Sequence, residues 1–258
     1  MDYHVRGGIG TQIMQFLAAN SIAWENNEKV EKIILNWGHY PNWMYDDSKR
    51  GNHLVDVNYL QEVFQHIQLP KFESIQGQNK TNFFHTPIAE LMIKHRDRLI
   101  RAFPIFFPIE LGQFPFQRKN YEMINDSMIL HVRGKDRPNL TQEEYSSIWK
   151  LNSKEGKYII GDDEELIKKV AGSNSYCLGN DSANPSEDFL TLAYGENNIV
   201  FSGFTTFTFA AAFLNRNSSF KIVRGRDKFS GGINNKDWDA MDYFESEMKN
   251  LKFLDIVV

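Results

Sequence analysis

The sequence predicts an α/β protein built on a doubly wound parallel sheet. Two observations carry this. From residue 128 to residue 223 short apolar runs alternate with segments of helical period in the order βαβαβαβαβ, the order that gives a parallel sheet with helices on both faces. The chain also opens on a strand, a glycine-rich turn and a helix, so a unit of the same kind stands at its N-terminus.

In that opening unit Asp2-Tyr-His-Val5 reads as the strand and Arg6-Gly7-Gly8-Ile9-Gly10-Thr11-Gln12 as the loop. The helix after it carries Ile13, Phe16, Leu17 and Ile22 on its apolar face. Glycines at such a junction let backbone N–H groups approach a ligand, and a helix start adds about half a positive charge, which suits an anion. The same turn also serves simply to pack strand against helix. A dinucleotide fingerprint would need a third small residue where Ile13 stands and an acidic residue after the next strand. That strand, Lys32-Ile-Ile-Leu35, ends in Asn36-Trp37, and no Gly-Lys-Ser/Thr of a P-loop occurs.

From Gly38 to Lys80 the pattern weakens, with one helix predicted over Asn58–Ile67. Trp24, Trp37 and Trp43 read as core residues or as sugar platforms. Thr86-Pro87 starts an amphipathic helix predicted to run to about Arg101, with Lys94, Arg96, Arg98 and Arg101 on its solvated face. The stretch Phe103 to Phe116, with three prolines and no period, reads as an extended connector. It divides the chain into an N-terminal domain, residues 1–117, and a C-terminal domain, residues 118–258.

In the C-terminal half the strands are Met128–Val132, Tyr158–Ile160, Ser175–Leu178, Asn198–Phe201 and Phe220–Val223. The helices are Gln142–Leu151, Glu164–Ala171, Glu187–Tyr194 and Thr206–Leu214. Parallel sheets bind ligands at the C-terminal ends of their strands, and polar residues stand at those ends here. The run Ser127-Met-Ile-Leu-His131-Val ends in Arg133-Gly-Lys-Asp136. An Arg fork suits two oxygens of a diphosphate, with Asp136 fixing the turn or the guanidinium; a solvated Arg–Asp pair is the plainer alternative. Asp162-Asp163 follows the second strand and either meets a ligand or caps the next helix. Thr205 precedes the Ala-rich helix, as a phosphate cradle, an N-cap or both.

The whole-chain numbers narrow the function classes. The 258 residues, 41% of them hydrophobic, make a globular protein of one large or two smaller domains. A net charge of −4 gives no field drawing the chain to nucleic acid or anionic lipid. The single Cys177 leaves no internal disulfide and fits a reducing compartment. No apolar run nears the about 18 residues of a membrane span, and no signal peptide follows Met1. A cytoplasmic protein without a transmembrane segment is the expectation.

Three segments, in order and spacing, resemble the α-1,2-fucosyltransferases and their α-1,6 and protein O-fucosyltransferase relatives. Gly7-Gly-Ile-Gly-Thr-Gln-Ile-Met-Gln-Phe is similar to the family's N-terminal Gly-rich loop and helix, and His131-Val-Arg133-Gly-Lys-Asp136 to its His-x-Arg-x-x-Asp signature. The segment from Asp188 through Asn198-Ile-Val-Phe-Ser-Gly-Phe-Thr205-Thr206-Phe-Thr208 to Leu214 is similar to a third family motif. It departs from the pattern at Thr11, Lys135, Arg137 and Phe209-Ala210.

The resemblance implies a GT-B arrangement of two facing Rossmann-like domains, moving L-fucose from GDP-fucose to a glycan hydroxyl with inversion. It implies that Arg133 contacts the diphosphate, that His131 belongs to the donor site, and that Asp162 or Asp163 lies near the nucleotide. Thr205, Thr206 and Phe207 would flank the phosphates, and Gly8, Gly10, Thr11 and Gln12 would close on the donor from the other domain. Departure of the sugar builds negative charge on the diphosphate, so a fixed cation there lowers the barrier. Arg133 with Asp136 is the expected catalytic pair; Asp136, Asp163 and Glu187 are all open as the base, and so is no strong base. No cofactor and no metal site are expected, since Asp237-Trp-Asp239 falls on a helix read as lying past the last core strand. A non-catalytic nucleotide-sugar-binding module and an NAD-dependent oxidoreductase are the competing readings.

Overall fold

The structure, a computed structural model, describes residues 2–5, 9–37, 71–76, 85–106, 124–134, 140–151, 156–172, 176–177, 185–224 and 235–255. The elements begin with β1 (Asp2–Val5), α1 (Ile9–Glu25), β2 (Lys32–Trp37), β3 (Lys71–Gln76), α2 (Thr86–Lys94) and α3 (Arg96–Phe106). They continue with β4 (Met128–Val132), α4 (Gln142–Lys150), β5 (Lys157–Gly161), α5 (Glu164–Ala171), β6 (Tyr176–Cys177) and α6 (Pro185–Tyr194). The last are β7 (Ile199–Gly203), α7 (Thr206–Leu214), β8 (Ser219–Arg224), α8 (Asn235–Glu247) and β9 (Leu251–Asp255). Among the described residues no helix is long and apolar enough to cross a membrane.

The chain divides into two compact units, Met1–Ile109 with Ile233–Glu247, and Glu110–Gly232 with Met248–Val258. The sequence reading puts everything after residue 117 together, whereas α8 groups with the first unit. Its Ala240, Met241 and Phe244 are buried, and it packs against α2.

In the first unit β1, β2 and β3 form a parallel sheet in that order. Strand β3 escapes the sequence reading because Lys-Phe-Glu-Ser-Ile-Gln spaces its two apolar residues three apart, without alternation; its register pairs Ile33 with Phe72. Helix α1 is buried nearly all round, including the polar Gln12, Gln15, Asn20 and Ser21. Asn20 and Ser21 meet this burial by donating to the carbonyls of Phe16 and Leu17, each at 2.9 Å. The helix predicted from Thr86 to Arg101 is two helices, broken at His95 (φ −98°, ψ 4°). The stretch read as an extended connector begins as helix, since α3 runs on to Phe106. Proline removes one backbone bond there, but burial of Leu99 and Phe103 holds the last turns by packing. The remainder of that connector and the helix expected over 58–67 lie outside the described residues. At the end of α1, Glu25 accepts from Lys94 at 2.7 Å and lies 3.1 Å from His95 Nε2. Arg98 stacks 3.9 Å over the Trp24 ring. Lys94 and Arg98, read as part of a solvated face, are therefore engaged.

In the second unit all six strands are parallel, in the order β6-β5-β4-β7-β8-β9. Strand β4 is buried along its whole length, as an inner strand covered on both faces must be. Met128, Leu130 and Val132 face a core that includes Tyr145 and Ile148 of α4 and Ile167 and Val170 of α5. Asp163 caps α5, and Thr141 starts α4 with a full capping box to Glu144. Strand β9 extends the sheet past the strand the sequence reading takes as the last. Leu251 and Phe253 are buried while Lys252 and Asp255 are exposed, the alternation of a covered edge strand.

Candidate functional site

From β4 the chain steps outward to β5 and β6, then returns through α6 to β7 on the opposite side of β4 and continues to β8 and β9. The winding reverses between β4 and β7. In open parallel sheets the helices on either side of such a reversal lie on opposite faces, and a crevice opens at the strand C-termini. Here the β4–β7 register sets His131 beside Ser202, and the β4–β5 register sets Val132 beside Gly161. Residues 129, 131 and 133 share one face, opposite the core formed by Met128, Leu130 and Val132.

Arg133 stands just past the end of β4, half-buried. Its backbone is held from the other face of the sheet: its N–H donates to the Tyr145 hydroxyl at 3.1 Å, and that hydroxyl donates to its carbonyl at 3.4 Å. Tyr145 is fully buried, and burial pushes its hydroxyl pKa up to about 12, so it stays a donor at any ordinary pH. The next N–H, of Gly134, donates to Asp162 Oδ1 at 2.9 Å, and Asp163 Oδ1 accepts from Leu166 N–H at 3.0 Å as the cap of α5. The two loops run so close that a Cβ on Gly134 would overlap the Asp163 side chain. One on Gly161 would overlap the Val132 carbonyl. Glycine is required at both places by this approach.

His131 is 7% exposed and sits in a cage of hydroxyls. Its Nδ1 lies 3.1 Å from Ser202 Oγ and 3.0 Å from Thr208 Oγ1. Thr208 Oγ1 donates to Ser202 Oγ at 3.1 Å, Thr205 Oγ1 donates to Thr208 Oγ1 at 3.0 Å, and Ser202 Oγ donates to the Gly203 carbonyl at 2.6 Å. Thr205 also caps α7 by accepting from Thr208 N–H at 3.0 Å. The imidazole stacks on Phe207 with centroids 5.3 Å apart and planes 16° apart, and Phe189 meets Phe207 edge-on. Burial first, and the nearby Arg133 charge second, lower the His131 pKa to about 3. His131 is therefore a neutral imidazole, and too weak a base to serve as a general base near neutrality.

The structure thus brings together His131, Arg133, Asp162, Asp163, Thr205, Thr206 and Phe207 at the C-terminal ends of three neighbouring strands of one sheet. Thr205 is buried with its hydroxyl engaged in capping, while Thr206, the first residue of α7, is partly exposed. Gly10, Thr11 and Gln12 belong to the first unit. They lie in the first turn of α1, which starts at Ile9 and not after Gln12 as the sequence reading has it. Gly8 and Asp136 lie outside the described residues, as do the side chains of Glu187 and Asp237; Asp239 is exposed on α8. Among the described residues no group of three or more His, Cys, Asp or Glu is placed to hold a metal. Sequence reasoning missed Tyr145 as part of the site, and read Ser202 and Thr208 as hydroxyls of a phosphate cradle at a strand end without the link to His131. Tyr145 reads as core, and Ser202 and Thr208 are tied to His131 only by the fold.

The fold and this site define an α/β protein with a cationic, hydroxyl-rich edge at the switch point of a doubly wound parallel sheet. No protein-family model matches the chain, and no curated protein matches it. Among solved structures, the selenomethionine form of fucosyltransferase NodZ from Bradyrhizobium is similar at a TM-score of 0.40 and 12% identity, over 83% of this chain and 91% of that one. A second structure of fucosyltransferase NodZ from Bradyrhizobium gives a TM-score of 0.39 and 12% identity, over 83% and 93%.

Proposed function

We propose that this protein is a GT-B-type glycosyltransferase that moves L-fucose from GDP-fucose to a glycan hydroxyl, with inversion and with Arg133 carrying the charge on the leaving diphosphate. One observation carries the reading: a guanidinium stands at the C-terminal end of the central strand, beside the switch point, with its backbone clamped on both sides by a buried tyrosine. The His131-x-Arg133 resemblance agrees with it. As the bond from the anomeric carbon to the diphosphate breaks, negative charge grows on the diphosphate oxygens. A fork that cannot lose its proton and does not need to reorganise stabilises that charge more in the transition state than in the ground state. The first turn of α7, with backbone N–H groups and the positive end of the helix dipole, supplies the neutral part of the same cradle. His131 adds no positive charge to this site, because it stays neutral at the pH of the reaction.

The test is steady-state donor kinetics of wild type and Arg133→Lys, each in EDTA and in Mn²⁺. Lysine keeps the charge and loses the fork, so kcat should fall on the order of 10²-fold with a smaller change in donor KM. Wild-type turnover should survive EDTA. GDP-fucose binding without turnover would make the chain a binding module, and turnover that requires Mn²⁺ would take the charge-stabilising role from Arg133.

A further inference from the structure

The hydroxyl cage around His131 fixes which ring nitrogen carries the proton. There are five polar contacts to serve: Thr205 to Thr208, Thr208 to Ser202, Ser202 to the Gly203 carbonyl, and Nδ1 to both Ser202 and Thr208. Three hydroxyls bring one hydrogen each. The Gly203 carbonyl only accepts, so it takes the Ser202 hydrogen. The Thr205 hydrogen goes to Thr208, and the Thr208 hydrogen to Ser202. If Nδ1 were bare, it would face two hydroxyl oxygens whose hydrogens are already committed, and turning the Thr208 hydroxyl towards it would leave Ser202 facing two lone pairs. With a hydrogen on Nδ1, shared between Ser202 and Thr208 at 3.1 and 3.0 Å, every contact is served and both hydroxyl oxygens are saturated.

A neutral imidazole has one N–H, so Nε2 is then an acceptor. Among the described residues Nε2 has no hydrogen-bond partner. The one buried side-chain nitrogen or oxygen there without a partner is Asn198 Nδ2, so Nε2 keeps an opening to solvent. We infer that Thr208 and Ser202 are positioning residues, which hold His131 as the Nδ1–H tautomer and so present Nε2 as a hydrogen-bond acceptor to an O–H or N–H of the bound donor. The donor end of this inference rests on the transferase reading; the tautomer does not. The arrangement also explains two hydroxyls closing on one ring nitrogen, with a third behind them, where a plain apolar contact would satisfy packing: an imidazole with no fixed partner would divide between two tautomers, and half of its molecules would meet the ligand with a donor in place of an acceptor.

The experiment is long-range ¹H–¹⁵N correlation NMR of the histidine side chains in the intact protein at neutral pH, with His131 assigned by loss of its signals in His131→Gln. The expected result is a pyrrole-type Nδ1 and a pyridine-type Nε2, with Nε2 shifting when GDP-fucose is added. Ser202→Ala, which frees the Thr208 hydrogen to turn to Nδ1, should turn the single tautomer into a mixture and raise the donor KM about twofold at nearly unchanged kcat, as a binding-competent form populated by half does. Ser202→Thr, which keeps the hydroxyl, should restore both. An Nε2–H form in the wild type, or a single Nδ1–H form surviving in Ser202→Ala, overturns the inference. Absence of any GDP-fucose binding in a melting-temperature assay would remove the transferase reading, and the spectrum of the protein alone would still decide the tautomer. Binding that leaves Nε2 unmoved would overturn the acceptor role.

Discussion

The buried neutral imidazole has a measurable cost at low pH. Free in an unfolded chain, His131 titrates at 6.5; in the folded protein burial and the Arg133 charge hold its pKa at about 3. Between those two values the unfolded chain binds a proton that the native state refuses. The contribution of His131 to stability is therefore greatest above pH 6.5 and falls as the pH drops towards 3. Integrating the difference in proton uptake from pH 7.5 to 5.0 gives a loss of about 2 kcal/mol from this one residue. Native-state amide exchange of the β4 amides, corrected for intrinsic rates, reads the opening free energy of the second unit directly. The comparison is wild type against His131→Gln, which keeps a hydrogen-bonding side chain of similar reach and does not titrate. The remaining histidines and the carboxylates contribute to both proteins and cancel in the difference. His131→Gln should be less stable at pH 7.5, yet its loss on going to pH 5.0 should be smaller by about 2 kcal/mol. Parallel pH dependences in the two proteins would show that His131 takes up a proton in the folded state at ordinary cost, and the argument from burial would fail.

Tyr145→Phe removes the group that serves both backbone atoms of Arg133; it should cost about 1–2 kcal/mol in chemical denaturation and lower kcat about tenfold as the guanidinium loses its fixed base. Gly161→Ala drives a methyl into the Val132 carbonyl at a residue with φ of 155°, and neither strand can yield without breaking the β4–β5 ladder. The loss should be about 3 kcal/mol by denaturation, and a soluble variant of wild-type stability would show that the two strands separate more readily than their pairing suggests.

What the sequence could show depended on how local the determining contacts are. Helices α5 and α7 have the limits read from sequence, because their caps, Asp163 and Thr205, lie beside them in the chain and bond within the first turn. The end of β4 was legible for a similar reason: a run of apolar residues that stops at Arg133 needs no distant partner to be seen as a strand meeting the surface. Strand β9 and the grouping of α8 with the first unit were not legible, since the chain leaves one unit and returns to it, and no residue in 225–234 signals the return. The His131 cage was hidden most completely. Ser202 lies 71 residues away from His131 and Thr208 lies 77 away, and only the β4–β7 register brings them to Nδ1. Thr208 illustrates the difficulty. Its N–H receives the cap from Thr205, a local role any helix start would suggest, while its hydroxyl acts on a histidine from another strand. A pattern of Thr-x-x-Thr before an apolar helix carries the first role in its spacing, and the second exists only after the sheet has formed around it.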